Sequence, residues 1–209
     1  MRKSIFTLLL SSLWLIIYAQ PETKYYENGQ IKHIGATADS TKTGKWEFFY
    51  PNGTKEATEF YENGELQGIA KYYDFDGNLI STENWLMGVL EDSAYYYYST
   101  GVLEKKGRYH AGVYEGAWVF FHTNGMIKKS LNYHHGLPHG EWRYINERGV
   151  LIQEGQFADG KETGEWKFYS KQGWLLYIGS YEEGKRVGEW FILNKSGKKK
   201  PLDYSEWDF

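Results

Sequence analysis

The 209-residue chain carries 27 acidic and 24 basic side chains, which gives a formal net charge of −3 with neutral histidines. Residues 1–19 contain Arg2 and Lys3 and no acidic side chain, so the remainder carries −5. Nucleic acids and anionic membrane surfaces need a basic face, so this charge argues against both as general partners. The absence of cysteine excludes disulfides and thiolate metal sites. Aromatic side chains make up 19% of the chain, which is typical of a folded sequence rather than a disordered one.

The N-terminus has the pattern of a secretory signal. Arg2 and Lys3 precede an apolar stretch over residues 5–17, and Ala19 supplies a small residue at its end. The stretch is shorter than the roughly 20 apolar residues of a membrane-spanning helix. We therefore predict a cleaved signal peptide and an exported protein, located in the periplasm, in the cell envelope or outside the cell.

Glycines recur at an interval of 24 residues along nearly the whole remaining chain. Such self-similarity is typical of an array of small supersecondary units, each packed on its neighbours. One position of the middle series carries Asp92 instead of glycine. The three series are Gly29, Gly53, Gly77, Gly101, Gly125, Gly149, Gly173 and Gly197; Gly44, Gly68, Gly116, Gly140, Gly164 and Gly188; and Gly64, Gly88, Gly112, Gly136, Gly160 and Gly184.

Each repeat contains two alternating runs separated by a turn. The run 44–48 alternates with the period of a half-buried strand. The following Asn52 and Gly53 are residues that provide the positive φ angles of a tight hairpin turn. We therefore predict an all-β fold, an elongated array of stacked antiparallel β-hairpins. Its expected divisions are a signal peptide over 1–19, a degenerate N-terminal repeat or cap over 20–43, six hairpin repeats over 44–187, and a truncated repeat with a C-terminal cap over 188–209.

The last division ends in a basic and aromatic tail. Residues 198–200 are lysines, and Tyr204, Trp207 and Phe209 follow them. The tail is expected to fold over the last hairpin, because an open strand edge invites pairing with another chain. The alternative is a basic docking tail.

Three segments resemble the repeats of the MORN-repeat variant family, and the resemblance extends over about residues 25–198. The resemblance implies a β-hairpin array that acts chiefly as an interaction scaffold, without a shared catalytic residue. Some bacterial members are labelled antitoxin or immunity proteins. The segments are Gly44-Lys45-Trp46-Glu47-Phe48-Phe49-Tyr50, Gly140-Glu141-Trp142-Arg143-Tyr144 and Gly188-Glu189-Trp190-Phe191.

A row of tryptophans is expected to form the packed side of the array, and it is interrupted in two adjacent repeats. Ala70 and Ala94 stand where the others have Trp46, Trp118, Trp142, Trp166 and Trp190. The lost volume predicts a trench, or a local change of curvature, between Trp46 and Trp118. In the alternative reading, the bulky Trp85 refills the gap.

The aromatic side chains around this gap are the candidate binding residues. A flat apolar ring with a polar tip suits protein interfaces and also stacks on sugars. We predict a recognition surface here, and the alternative is that the rings only pack. The candidates are Tyr73, Tyr95, Tyr97, Tyr98 and Phe121.

Two constellations are candidates for chemistry. The histidines His110, His122, His134, His135 and His139 cluster in the sequence, and imidazole is a common metal ligand. Equivalent positions on successive hairpins lie roughly 9–10 Å apart, too far for one ion, so no metal site is expected. Glu141, Glu165 and Glu189 could supply paired carboxylates for sugar hydrolysis, but their recurrence in a row indicates a solvated ladder.

The favoured function is therefore that of an exported, non-enzymatic scaffold that binds a protein and needs no cofactor. An antitoxin or immunity role would be one specific form of this function. The alternative is a carbohydrate or cell-wall binding module built from aromatic hairpins. One broad aromatic patch with a polar rim would favour a protein partner, whereas isolated exposed aromatic pairs would favour sugar.

Overall fold

The computed structural model describes residues 19–202, which form eighteen β-strands and contain no helix. The predicted signal peptide, except Ala19, lies outside these residues, as do Tyr204, Trp207 and Phe209. No helix among residues 19–202 has the length and hydropathy to cross a membrane. The strands are β1 Gln20–Tyr25, β2 Ile31–Ala38, β3 Thr41–Phe49, β4 Lys55–Glu62, β5 Glu65–Leu66, β6 Gly68–Tyr73, β7 Leu79–Leu86, β8 Val89–Leu90, β9 Asp92–Tyr97, β10 Leu103–His110, β11 Val113–Phe121, β12 Ile127–His134, β13 Leu137–Ile145, β14 Leu151–Ala158, β15 Lys161–Tyr169, β16 Leu175–Glu182, β17 Lys185–Leu193 and β18 Lys199–Pro201.

The strands form one antiparallel sheet in which pairing follows chain order from β1 to β18. Strands β5 and β6 both pair with β4, and β8 and β9 both pair with β7. Each of these two pairs is one strand line with a short break. The predicted all-β array of antiparallel hairpins is confirmed. The hairpins are β3–β4, β6–β7, β9–β10, β11–β12, β13–β14 and β15–β16.

The two ends of the hairpins use different turns. At one edge of the sheet, two consecutive residues have positive φ, as at Asn63 and Gly64, which makes two-residue turns. At the other edge, three-residue loops such as 51–53 are closed by a bond from the Tyr50 amide to the Thr54 carbonyl. In that loop only Gly53 has a positive φ, so the expected role of Asn52 is wrong. Its side chain instead accepts a bond from the Thr54 amide and donates one to the Phe75 carbonyl. We call these edges the turn edge and the loop edge.

Glycines of the middle series lie at β-bulges between successive hairpins. Gly116 has a φ of +66°, and the pairing of β10 with β11 shifts register nearby. A left-handed backbone favours glycine, and aspartate tolerates it better than most residues. Asp92 adopts the same conformation with a φ of +62°, so its replacement of glycine keeps the bulge.

The packed side of the sheet, which we call the inner face, is built from tryptophans lying on glycines. Trp118 is fully buried, and a Cβ added at Gly107 on the preceding strand would overlap its ring. Burial of a side chain of this size contributes roughly 1.5–3 kcal/mol. Trp142 is only half-buried, and Leu131 occupies the glycine position beside it. The glycine–tryptophan pairs are Gly35–Trp46, Gly107–Trp118, Gly155–Trp166 and Gly179–Trp190.

Carboxylates replace this packing in the two repeats without the tryptophan. Ala70 is 1% exposed and pairs with Glu83, while Glu59 on the other side of it is 9% exposed. Ala94 is also buried. No open trench therefore exists at the two alanines. Trp85 is half-buried in the strand that also carries Glu83.

The C-terminal strand covers part of the last hairpin edge. β18 pairs with the end of β17, where Phe191 faces Pro201 and Leu193 faces Lys199. The Leu202 amide also donates a bond of 2.7 Å to the Trp190 carbonyl. Residues 199–202 thus continue the sheet along β17.

Candidate binding surface

The face opposite the tryptophans, which we call the outer face, exposes large apolar side chains in its middle. Phe60 on β4, Ile69 on β6 and Tyr95 on β9 are 42%, 51% and 39% exposed. Their strand neighbours Glu59, Ala70 and Ala94 are buried on the inner face, so alternation directs all three to the outer face. We call Phe60, Ile69 and Tyr95 the central outer patch.

The side chains paired with this patch across β7 are uncharged. Ile69 pairs with Asn84, and Tyr95 pairs with Thr82. Lys71 lies on the same face and also pairs with Thr82. The patch therefore consists of apolar rings and aliphatic groups with small polar neighbours and little charge.

Basic side chains border the patch on its two outer strands. Lys45 on β3 pairs with Phe60, and Lys106 on β10 pairs with Tyr95. Long side chains of this kind can lay their apolar stems along a ring while the charge stays in water. The patch thus has a polar boundary on both sides.

The patch exists because this part of the array lacks the charges of the later repeats. Ile69 stands where two later repeats have Glu141 and Glu165. Tyr95 stands where those repeats have Arg143 and Lys167. There the two positions form ion pairs across the exposed face: Glu165 lies 2.9 Å from Lys167, and Glu141 lies 3.9 Å from Arg143.

A network of tyrosines and carboxylates supports the central strands on the inner face. Tyr61 donates a hydrogen bond of 2.6 Å to Glu59, and Lys42 donates one of 3.2 Å to the Tyr61 hydroxyl. Burial, assisted by hydrogen bonding to Glu59, raises the pKa of Tyr61 well above its ordinary value. Burial, with the negative charge of Glu59 nearby, does the same to the pKa of Tyr72.

A second tyrosine pair continues this network one hairpin later. The hydroxyls of Tyr96 and Tyr109 lie 2.9 Å apart. Burial raises the pKa of Tyr109 to about 12 and also raises the pKa of Tyr96. These phenols stay protonated at neutral pH, and their hydrogen bond joins β9 to β10 on the face opposite the central outer patch.

Comparison with known families identifies the array. The sequence model of the MORN repeat variant matches seven segments, which together cover more than half of the chain. The chain belongs to the MORN repeat variant family. Members of this family are in general non-enzymatic repeat scaffolds for binding. The matched segments are 21–35, 42–63, 54–72, 66–86, 114–135, 138–159 and 162–183.

The comparisons with individual proteins add no functional assignment. No curated protein matches the chain. Among solved structures, a chain in the crystal structure of TcdB2-TccC3-Cdc42 is similar at 14% sequence identity with a TM-score of 0.18. The match covers 87% of the MORN protein described here but 14% of that chain. At this TM-score the similarity carries no argument about function.

The structure brings one of the predicted binding residues into the patch. Tyr95 belongs to it, whereas Tyr73, Tyr97 and Phe121 are half-buried at strand ends near the loop edge. They pair with an aliphatic residue after each loop, such as Leu79 opposite Tyr73. They are not fully buried, so they can still contribute to a surface that extends from the patch.

Tyr98 has a structural contact. Its hydroxyl donates a hydrogen bond of 2.9 Å to the Phe121 carbonyl of the next hairpin. Tyr26 and Tyr50 make the equivalent bonds to residues 23 positions later. This tyrosine therefore links neighbouring MORN repeats.

Within residues 19–202, no group of three or more histidine or acidic side chains comes together in a way that could hold a metal ion. The rings of His134 and His135 lie 4.1 Å apart, and His139 is close to Asp159. His110 instead lies 2.8 Å from Glu91, and this bond raises the pKa of His110. His122 is 6% exposed and lies away from these rings at the loop edge.

The recurring glutamates lie on the exposed outer face. Glu141 and Glu165 are 77% and 57% exposed and pair with basic neighbours. They line a shallow depression together with Glu154. This arrangement fits the expected solvated ladder on a MORN sheet.

Proposed function

We propose that this protein is an exported, non-enzymatic scaffold that binds another protein through the central outer patch. The observation that carries the proposal is a row of exposed apolar side chains on an uncovered sheet face, with polar and basic side chains around it. Protein interfaces commonly combine an apolar centre rich in aromatic residues with a polar rim. An antitoxin or immunity role is the specific form that the family suggests.

The proposed export rests on the sequence pattern of residues 1–19. A partner would accordingly be sought in the envelope or outside the cell.

The test is a crosslinked pull-down with the chain from Gln20 to Phe209 on envelope and culture fractions. The patch variant combines Ile69→Glu with Tyr95→Arg, which are the residues that later repeats carry at these positions. Its fold should persist because the array already tolerates both side chains there. The control variant exchanges the charges of one later pair, Glu141→Arg with Arg143→Glu.

The proposal predicts that the parent and the control capture the same discrete protein and that the patch variant loses it. Equal capture by the patch variant, with folding verified by its thermal melt, would show that the patch is not the binding surface.

An aromatic cleft in the C-terminal half favours a second candidate, the carbohydrate or cell-wall module. Phe168, Tyr177 and Tyr181 are among the residues that line this cavity of about 440 Å³. Aromatic rings in an open cleft can stack on sugar rings. Retention of the chain on isolated cell wall, competed by free sugar and without a captured protein, would favour this candidate.

A further inference from the structure

Exposed apolar side chains concentrate in one segment of the described chain, residues 56–104. This segment contains eight of the fifteen large hydrophobic side chains that are exposed within residues 19–202, although it is about a quarter of their length. Three of the eight form the central outer patch. Leu86, Met87 and Val89 lie together at the turn edge and are 45%, 66% and 44% exposed. The apolar surface therefore reaches from the outer face to the turn edge.

Almost all charged side chains in the same segment are acidic. Residues 56–104 contain ten acidic side chains and one basic side chain, Lys71. Residues 105–202 contain sixteen basic and ten acidic side chains, so the balance reverses at Lys105. The excess negative charge coincides with the exposed apolar surface and is not a general property of the array.

Several of these carboxylates are exposed at the two edges that flank the patch. Glu62 and Glu65 surround a two-residue turn at the turn edge, and Asp76 lies in a loop at the loop edge. Asp92 is exposed at the start of β9. Within residues 19–202, one carboxylate of the segment forms an ion pair, Glu91 with His110. The four exposed carboxylates form no ion pair among residues 19–202, so their charge is available to a partner. The basic side chains beside the patch are fewer, namely Lys71, Lys106 and Lys45, the last of which is paired with Glu47.

Building on the proposed function, we infer that the partner presents a positively charged surface with apolar side chains. An apolar contact supplies affinity, while complementary charges around it speed association and reject partners of the wrong sign. The carboxylates at the edges would face lysine or arginine side chains, and the patch would cover apolar ones. An acidic protein would be repelled from this segment even where its shape fits.

The test measures binding of two labelled peptides to the chain from Gln20 to Phe209, which retains every strand of the sheet. One peptide alternates lysine with leucine, and the other carries glutamate in place of each lysine. Two variants each lose four exposed carboxylates and therefore change the net charge equally. The central variant is Glu62→Gln, Glu65→Gln, Asp76→Asn and Asp92→Asn, and the control variant is Glu141→Gln, Glu147→Gln, Glu165→Gln and Glu189→Gln.

The inference predicts that the parent binds the lysine peptide with a Kd that rises with salt and does not bind the glutamate peptide. The Kd for the lysine peptide should rise about tenfold or more in the central variant and less than about twofold in the control variant. Equal weakening in both variants would overturn the inference, because only net charge would then matter. Binding of the glutamate peptide by the parent would also overturn it.

The pull-down separates this inference from the proposed function. If the central variant keeps the captured protein while the patch variant loses it, the scaffold proposal stands and the charge inference is wrong. If the patch variant keeps the captured protein, the proposed binding surface itself is wrong, whatever the peptides do.

Discussion

Four glycines that are not in turns set the inner face of the sheet. Gly35, Gly107, Gly155 and Gly179 lie within strands, and the ring of a buried tryptophan occupies the space of each missing side chain. A strand glycine often marks such a close approach. Where the tryptophan is replaced by Ala70 or Ala94, the glycine position holds Glu59 or Glu83. At the two alanines both positions change together, whereas beside Trp142 only the glycine is replaced, by Leu131.

We predict that Gly107→Ala destabilises the fold by about 1–3 kcal/mol, because the added methyl group overlaps the buried Trp118 ring. The free energy of unfolding in urea measures the effect. In a chain that already carries Trp118→Ala, the same glycine substitution should cost little. An equal cost in both backgrounds would contradict the glycine–tryptophan pairing.

The sequence predicted the tryptophan packing but not these glycines. They recur at multiples of the same interval, so the signal was present, but their series is incomplete and none lies beside a turn residue such as asparagine. The glycines that were predicted all have positive φ, whereas these four are needed for space. The sequence pattern alone does not distinguish a glycine that is needed for a positive φ from one that is needed to leave space for a neighbouring ring.

At the scale of the hairpin, hydrogen bonds at the loop edge tie each repeat to the next. Tyr26, Tyr50 and Tyr98 each donate to a carbonyl 23 residues later. His122 occupies the same position in its repeat, and its Nε2–H donates to the Ile145 carbonyl at 2.7 Å. In the sequence, His122 belongs to a group of histidines from which no metal site is expected, and its contacts show a structural link between β11 and the next hairpin.

We predict that His122→Ala lowers the free energy of unfolding by about 1–3 kcal/mol, since the part-buried Ile145 carbonyl loses its donor. His122→Tyr restores the side chain used in other repeats and should recover most of the loss. Thermal or urea unfolding of both variants provides the measurement. A tyrosine variant no more stable than the alanine variant would argue against this shared role.

The hairpins were predictable because each repeat presents the same alternation and turn residues, and averaging over repeats strengthens a weak local signal. The exposed central outer patch was less predictable. Tyr95 was identified, but Phe60 and Ile69 were missed, because the aromatic count drew attention to Tyr73 and Tyr97. Ile69 replaces the glutamate that later repeats carry at this position, and this replacement was the sequence signal for an apolar patch.

At the scale of the whole chain, one sheet provides the stability and, under the proposed function, the recognition surface as well. Tryptophans and the tyrosine–carboxylate network stabilise the inner face, which leaves the outer face to vary without loss of the core. In the later repeats the outer face carries paired charges, and between β4 and β9 it carries apolar side chains. The packing residues of the repeat are thus largely kept on the inner face, whereas the residues of the outer face, where a partner would bind, differ between repeats.

The most direct test of this account places a photo-crosslinking residue, p-benzoyl-phenylalanine, at Tyr95 in one variant and at Arg143 in another. Both positions lie on the outer face and are equivalent within the repeat, two repeats apart. After irradiation with envelope and culture fractions, we expect one discrete crosslinked protein from position 95 and none from position 143. The same product from both positions, or a product from position 143 alone, would contradict a recognition surface in the central repeats.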